Sequence, residues 1–147
     1  MSHTTLYASC QVGGLRVGIN VDAVQEVTAG TDLTRIPLAS PLISGLLNLR
    51  GQIVTAIDLR RCLHLAERPA GQRPVNVILR TADGCVSLLV DDVGDVLAAD
   101  ADCFEEPPRT LRGRLRELIS GAYQLDGGLL LTLDIEGVLA FSAGDRV

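Results

Sequence analysis

The sequence contains no lysine and no tryptophan, a single methionine, and four aromatic residues, Tyr7, Phe104, Tyr123 and Phe141. Each shortage excludes something. A single-stranded nucleic-acid groove needs stacking aromatics and positive charge, and this chain carries 13 arginines against 18 carboxylates for a net charge of −5. Its four cysteines, Cys10, Cys62, Cys85 and Cys103, are far apart and form no Cys-x-x-Cys pair, so they read as reduced small hydrophobes rather than as metal ligands. No apolar run reaches the roughly 18 residues of a membrane span, which predicts no direct membrane insertion. The opening Met1-Ser2-His3-Thr4-Thr5 has no signal-peptide character, which predicts a cytoplasmic protein. The all-arginine basic set fits a GC-rich genome, and arginine also suits bidentate, partly buried pairing.

What the chain does have is repetition. Val21-Asp22-Ala23-Val24-Gln25-Glu26-Val27 returns 69 residues later as Val90-Asp91-Asp92-Val93-Gly94-Asp95-Val96. Gly45…Leu49-Arg50-Gly51…Ile57-Asp58-Leu59 returns 76 residues later as Gly121…Leu125-Asp126-Gly127…Leu133-Asp134-Ile135. Self-similarity of this kind points to two related units with a seam between them.

Hydrophobic periodicity supplies the elements. Leu6, Ala8, Cys10 and Val12 alternate with polar neighbours as in a half-buried strand, and Gly13-Gly14 turns the chain into a second one. Val21, Val24 and Val27 recur every third residue, predicting a short helical turn over 21–25, and its repeat predicts another at 91–96. Gln52 to Leu59 reads as a core strand, and Asp58 is placed to cap a short helix through His64. Glu67 to Pro74 is the main loop. Val75–Thr81 and Cys85–Val90 form a hairpin about Asp83-Gly84, and Asp126-Gly127 turns the last hairpin. Weak helix is expected at Thr110–Ile119 and a short helix at Glu136–Phe141. The sum is about ten strands with short helical connectors, an all-β barrel or sandwich pattern.

Catalytic chemistry finds little footing. Cys62 and His64 are the one conceivable nucleophile–base pair, but residues two apart on a short helix point away from each other. The carboxylates at Asp91, Asp92, Asp95, Asp100, Asp102, Glu105 and Glu106 lack the spacing of a calcium loop and read as a solvated acidic face. Gly13-Gly14 and Gly127-Gly128 sit in hairpins, so no phosphate loop is present. Arg109, Arg112, Arg114 and Arg116 form one local basic segment, read as a solvated helix face or loop. These observations predict no enzyme, no cofactor and no metal. An interaction surface remains. Arg50 stands where the second repeat has Asp126, so its charge is not dictated by the shared fold, and an internal ion pair with an acid such as Glu26 is an equal reading of it.

With those residues in place, the chain resembles the CheW family of chemotaxis coupling proteins from about Tyr7 to Leu139. The resemblance is carried by Gly45-Leu46-Leu47-Asn48-Leu49-Arg50-Gly51, Ile57-Asp58-Leu59-Arg60, Leu89-Val90-Asp91-Asp92-Val93 and Leu131-Thr132-Leu133-Asp134. The chain departs from it at Arg16-Val17-Gly18, where many members carry an aromatic residue, and in the turn Asp126-Gly127-Gly128. The resemblance implies two five-stranded SH3-like barrels side by side around a hydrophobic groove. They would form one domain over 1–147, ordered from about residue 5 to 141, with the main loop at 67–74 between them. It also implies an adaptor that binds the regulatory domain of a CheA-type histidine kinase and the cytoplasmic tip of chemoreceptors, held at the inner face of the membrane through receptor arrays. A pilus or biofilm chemosensory pathway, or a module that only tiles the array, are the alternatives it leaves. With no receiver or kinase segment, a free-standing adaptor is expected. By motif match Val24, Glu26 and Arg50 fall in the family's best-known functional region. Val24, Val27, Leu47, Leu49 and Ile53 with Arg50 are the expected anchors and rim for an apolar partner helix.

Overall fold

A computed structural model describes residues 3–30, 32–37, 40–82 and 84–144. Eleven strands and three short helices follow in the order β1 (Thr4–Val12), β2 (Leu15–Asn20), β3 (Val24–Ala29), β4 (Ile43–Leu49), β5 (Gln52–Asp58), α1 (Leu59–Cys62), β6 (Val75–Thr81), β7 (Gly84–Val90), β8 (Asp92–Asp100), β9 (Phe104–Glu105), α2 (Gly113–Leu118), β10 (Ile119–Leu125), β11 (Gly128–Leu133) and α3 (Ile135–Gly144). The fold is all-β with few helices. One sheet runs β8-β1-β2-β11-β10-β9 and the other β3-β6-β7-β5-β4.

The two sheets are the sequence repeat made visible, with an exchange. Under the displacements of 69 and 76, β6 and β7 repeat β1 and β2, β8 repeats β3, and β10 and β11 repeat β4 and β5. Each sheet then has the same order, but its central hairpin comes from one half of the chain and its flanking strands from the other. The registers agree residue by residue. Val17 pairs in parallel with Leu131 in one sheet, and Val86 with Thr55 in the other. Shifts in register fall between Ile43 and Gly45 and between their equivalents Ile119 and Gly121. At those positions the chain passes too close for a side chain: a Cβ on Gly45 would sit 2.6 Å from the Thr34 carbonyl oxygen, and one on Gly121 would sit 2.1 Å from the Phe104 ring. In both sheets the segment after an edge strand thus crosses to the opposite edge, through Thr34 with Leu46 and through β9 with β10, so each sheet is strongly curled.

A hairpin exchanged between halves cannot separate without breaking both sheets, and the main core reflects this. Cys10, Val17, Ile19 and Leu131 from the first sheet pack in one cluster with Ile57, Val77, Leu79 and Leu88 from the second and with Leu59, Cys62 and Val138 from the helices. Leu47, Val54, Ala56, Ile78 and Leu89 form a smaller cluster of the second sheet alone.

Two sequence expectations change here. Residues 91–96 are not a helical turn, because Asp92–Asp100 is strand β8. At Val21–Ala23 the Asn20 side chain accepts from the Asp22 amide and nucleates a 3-10 turn. At the equivalent place the Asp91 amide bonds to the Gln11 carbonyl, and its carboxylate is taken by other groups, so the chain stays extended against β1. Leu6 is 48% exposed rather than inward-facing. Of the Asp83-Gly84 turn, Asp83 lies outside the described residues.

The groups that take the Asp91 carboxylate lock the seam. Arg60, just inside α1, grips it with both arms, Nε to Oδ1 at 2.8 Å and a terminal nitrogen to Oδ2 at 2.6 Å. The Gly13 amide of the β1–β2 turn donates to Oδ2 at 2.8 Å, and Arg68 Nε to Oδ1 at 3.1 Å. Arg60 also donates to the carbonyls of Ala66 and Glu67, fastening the main loop. The side chains of Arg60, Arg68 and Asp91 are only 9–10% exposed. Burial alone would raise the Asp91 carboxyl, but the hydrogen bonds from Arg60, Gly13 and Arg68 outweigh it and leave it below the usual carboxylate range.

Removing one partner of a buried ion pair strands the other charge, so Arg60→Ala should lower unfolding stability by about 3 kcal/mol in urea denaturation; a loss within experimental error would deny the clamp its role. Because the folded carboxyl is depressed, its stabilisation is fully present above the unfolded value near 3.9 and fades as pH falls through the folded one. The stability gap between wild type and Asp91→Asn, wide at pH 7, should therefore close on that acid limb; a gap independent of pH would contradict the assignment.

Candidate functional site

Asn48, Leu49, Arg50, Gly51 and Gln52 form the tip of the β4–β5 hairpin. Leu49 pairs with Gln52, leaving Arg50 and Gly51 as a two-residue turn with φ of 51° and 88°. Positive φ at both positions is the type I′ geometry that suits the twist of a hairpin, and it normally asks for Asn-Gly. An arginine in the left-handed region is strained by roughly 1–2 kcal/mol, and the turn holds it partly through the Asn48 side chain, whose Oδ1 accepts from the Gly51 amide at 2.9 Å. The equivalent Asp126 has no positive φ, so the second hairpin turns differently. Arg50 is thus a departure in both charge and backbone.

The Arg50 side chain reaches Glu26 on β3 and forms an ion pair with it. Because β3 and β4 are opposite edges of their sheet, this contact joins the edges above the strand row. The guanidinium remains 69% exposed while the Glu26 side chain is 23% exposed. The pair therefore contributes about 0–1 kcal/mol to stability, and its larger effect is to aim the guanidinium outward from a fixed base.

The expected site residues divide into three groups. Val27 and Ile53 are exposed, at 44% and 65%, and stand within three positions of the paired charges in sequence. Val24 and Leu49 are half-buried, Val24 leaning on the main core and Leu49 on the smaller one. Leu47 is a correction: it is 1% exposed inside the smaller core, because its place in β4 faces inward opposite Val54, and it supports the surface without being part of it.

The Cys62–His64 pair dissolves as a catalytic arrangement. Cys62 is buried in the core with its Sγ 3.8 Å from the Ser142 hydroxyl. His64 ends α1 with φ of 57°, its amide bonded to the Arg61 carbonyl and the next amide, Leu65, to that of Arg60. These two bonds are the Schellman arrangement of a helix C-terminus, so His64 occupies a position that usually falls to glycine. Burial pushes the Cys10 thiol up to about 12, with Asp92 adding to it, which leaves no thiolate at neutral pH. Among the described residues no group of three or more His, Cys, Asp or Glu side chains is placed to hold a metal ion, and no helix is long and apolar enough to cross a membrane.

Sequence reasoning passed over the clamp. Arg60 shows in the sequence only within an apolar motif, and Asp91 reads there as part of a solvated acidic face, whereas its side chain is 9% exposed and paired with Arg60; the signal that could have found the pair is the failure of the repeat at Arg60, whose equivalent is Glu136.

Comparison with known proteins agrees with this geometry. The CheW-like domain family model matches residues 7–142. The chemotaxis protein CheW of Treponema pallidum is 30% identical over 129 residues, covering 85% of this chain and 76% of that protein. That of Klebsiella aerogenes is 31% identical, covering 88% and 78%. Among solved structures, the scaffolding protein TtCheW of Thermoanaerobacter tengcongensis superposes with a TM-score of 0.78 at 23% identity, covering 89% of each chain. This chain therefore belongs to the CheW-like family, whose members are chemotaxis adaptors and scaffolds and not enzymes.

Proposed function

We propose that the chain couples chemoreceptors to a CheA-type histidine kinase by placement, docking the kinase's regulatory domain and the cytoplasmic tip of the receptor on separate faces at the inner side of the membrane. The observation that carries this reading is the Arg50 guanidinium, held outward by a strained turn and by Glu26, with exposed Val27 and Ile53 near it in sequence. A charged group with apolar neighbours is the anatomy of a binding hot spot and its rim. Strain kept at an exposed position calls for a use at that position.

The partner-facing set is Val24, Glu26, Val27, Leu49, Arg50 and Ile53, with Leu47 behind it. Interfaces of ordinary size, about 1,600 Å², span a wide affinity range, so the contact area alone does not set the strength. In an array moderate affinity suffices, because linked contacts raise the effective concentration of each. The chemistry asked of the chain is only rigidity and complementarity.

Arg50→Glu should abolish receptor-dependent kinase activity in a reconstituted array, and the double exchange Glu26→Arg with Arg50→Glu should not restore it, because the outward charge remains inverted. Full activity in the single variant would sink the proposal; rescue by the exchange would reduce Arg50 to an internal strut. Arg50→Gly separates fold from function. It relieves the left-handed strain while losing the ion pair, so its urea midpoint should stay within about 1 kcal/mol of wild type while coupling is lost. A large destabilisation would show that the arginine is structural.

A further inference from the structure

The two sheets differ in where their strands come from. The second is built wholly from residues 24–90, as β3 to β7, whereas the first takes β8 to β11 from residues 92–133 and its two central strands, β1 and β2, from residues 4–20. The first sheet is therefore complete only when a hairpin from a distant part of the sequence enters it. Apart from the turn that follows it, the hydrogen bonds of this hairpin to the rest of the described chain reach residues 91–132. Strand β1 pairs along β8 from Thr4 with Asp100 to Gln11 with Asp92, β2 pairs with β11 at Leu131 and Thr132, and Ser9, Gly13 and Arg16 donate to Asp95, Asp91 and Gly128. Its apolar face, Cys10, Val12, Val17 and Ile19, packs into the main core.

One short segment, Val21–Ala23, joins the hairpin to β3. It is a single 3-10 turn with no buried residue, held by the Asn20 side chain, which accepts from the Asp22 amide at 2.9 Å, and by the Val24 amide, which bonds to the Val21 carbonyl. Such turns have poorer hydrogen-bond geometry than an α-helix and are easily opened. At the equivalent junction, Val90-Asp91-Asp92, the chain passes from β7 to β8 with no helical turn. The same Val-Asp pair is thus compatible with extended backbone, and an extended hinge would join β2 and β3 into one strand over residues 15–29.

We propose that the β1–β2 hairpin is traded between two copies of the chain: the hinge at Val21–Ala23 opens, and each hairpin completes the first sheet of its partner. The contacts described above all join residues on opposite sides of the hinge, so they re-form between chains, the Gly13 bond to the Asp91 clamp included. The closed and traded forms then differ only in the hinge and in the cost of association. A short hinge favours trading, and a long one favours folding back. Release of a hairpin must open the first sheet and the seam, so a traded pair comes apart slowly. Arg50 and Glu26 belong to the second sheet, so each copy keeps its outward guanidinium, and a pair carrying two such faces has the higher effective concentration that an array uses. The proposal does not depend on the reading of that face.

The test refolds the full chain from urea at low and at high concentration and measures its mass by size-exclusion chromatography with light scattering. Refolding at high concentration should yield a dimer that survives dilution. Labelled with nitrogen-15, that dimer should give the amide spectrum of the monomer except at Asn20 to Val24, the segment whose conformation changes. Asn20→Ala removes the cap of the closed turn and should raise the dimerisation constant about fivefold, the scale of one lost cap. A Gly-Ser-Gly-Ser insertion between Val21 and Asp22 should suppress the dimer, and Arg50→Glu should leave it unchanged. A chain that is monomeric at every refolding concentration, a dimer whose hinge amides stay at their monomer positions, or a dimer indifferent to both hinge variants would overturn the proposal. Loss of the dimer in Arg50→Glu would also overturn it, assigning the association to the Arg50 face.

Discussion

One buried carboxylate holds the architecture together. Asp91 lies where the chain leaves the second sheet for the first, and it gathers an arginine from α1, an arginine from the main loop and a backbone amide from the β1–β2 turn. Ion pairs at a protein surface contribute little, but one removed from water and held by several hydrogen bonds fixes orientation, because any other arrangement leaves a charge unpaired. The exchanged hairpins make the two sheets interdependent, and the clamp sets how they meet. The Arg50 turn and the β3 edge owe their fixed relation to that framework.

The repeat separates scaffold from function by where it holds and where it fails. The parallel pairings, the register shifts and the close-approach glycines recur at equivalent positions because each curled sheet needs them. Asp58 and Asp134 likewise recur, each with its amide bonded to the equivalent carbonyl of Leu42 or Leu118. Two positions break the pattern: Arg50 against Asp126, and Arg60 against Glu136. The first projects a charge outward, and the second closes one end of the seam.

Most strands were legible in the sequence, because period-two alternation and Gly-rich turns report local geometry directly. The β4–β5 hairpin and its Arg50 could be read from Asn48-Leu49-Arg50-Gly51 alone, and Glu26 was foreseen as a pairing acid. Sheet membership was not legible: β1 pairs with β8 across some 90 residues, and nothing local says that a hairpin joins the other half. The stretch 91–96 misled because its valine spacing matches that of 21–27, while the decision between turn and strand was made by a distant arginine. Leu47 and Ile53 look alike in sequence, one buried and the other exposed, and only the register of β4 on β5 distinguishes them.

The functional account rests on a face assembled where β3 and the β4–β5 turn come together. Amide shift mapping of the labelled chain tests it most directly, with the regulatory domain of a CheA-type kinase and a receptor-tip fragment added in separate titrations. The account predicts that with one of these partners the largest shifts fall on Glu26, Val27 and the segment Leu49–Ile53. Binding by both partners that leaves all of those amides unmoved would contradict it.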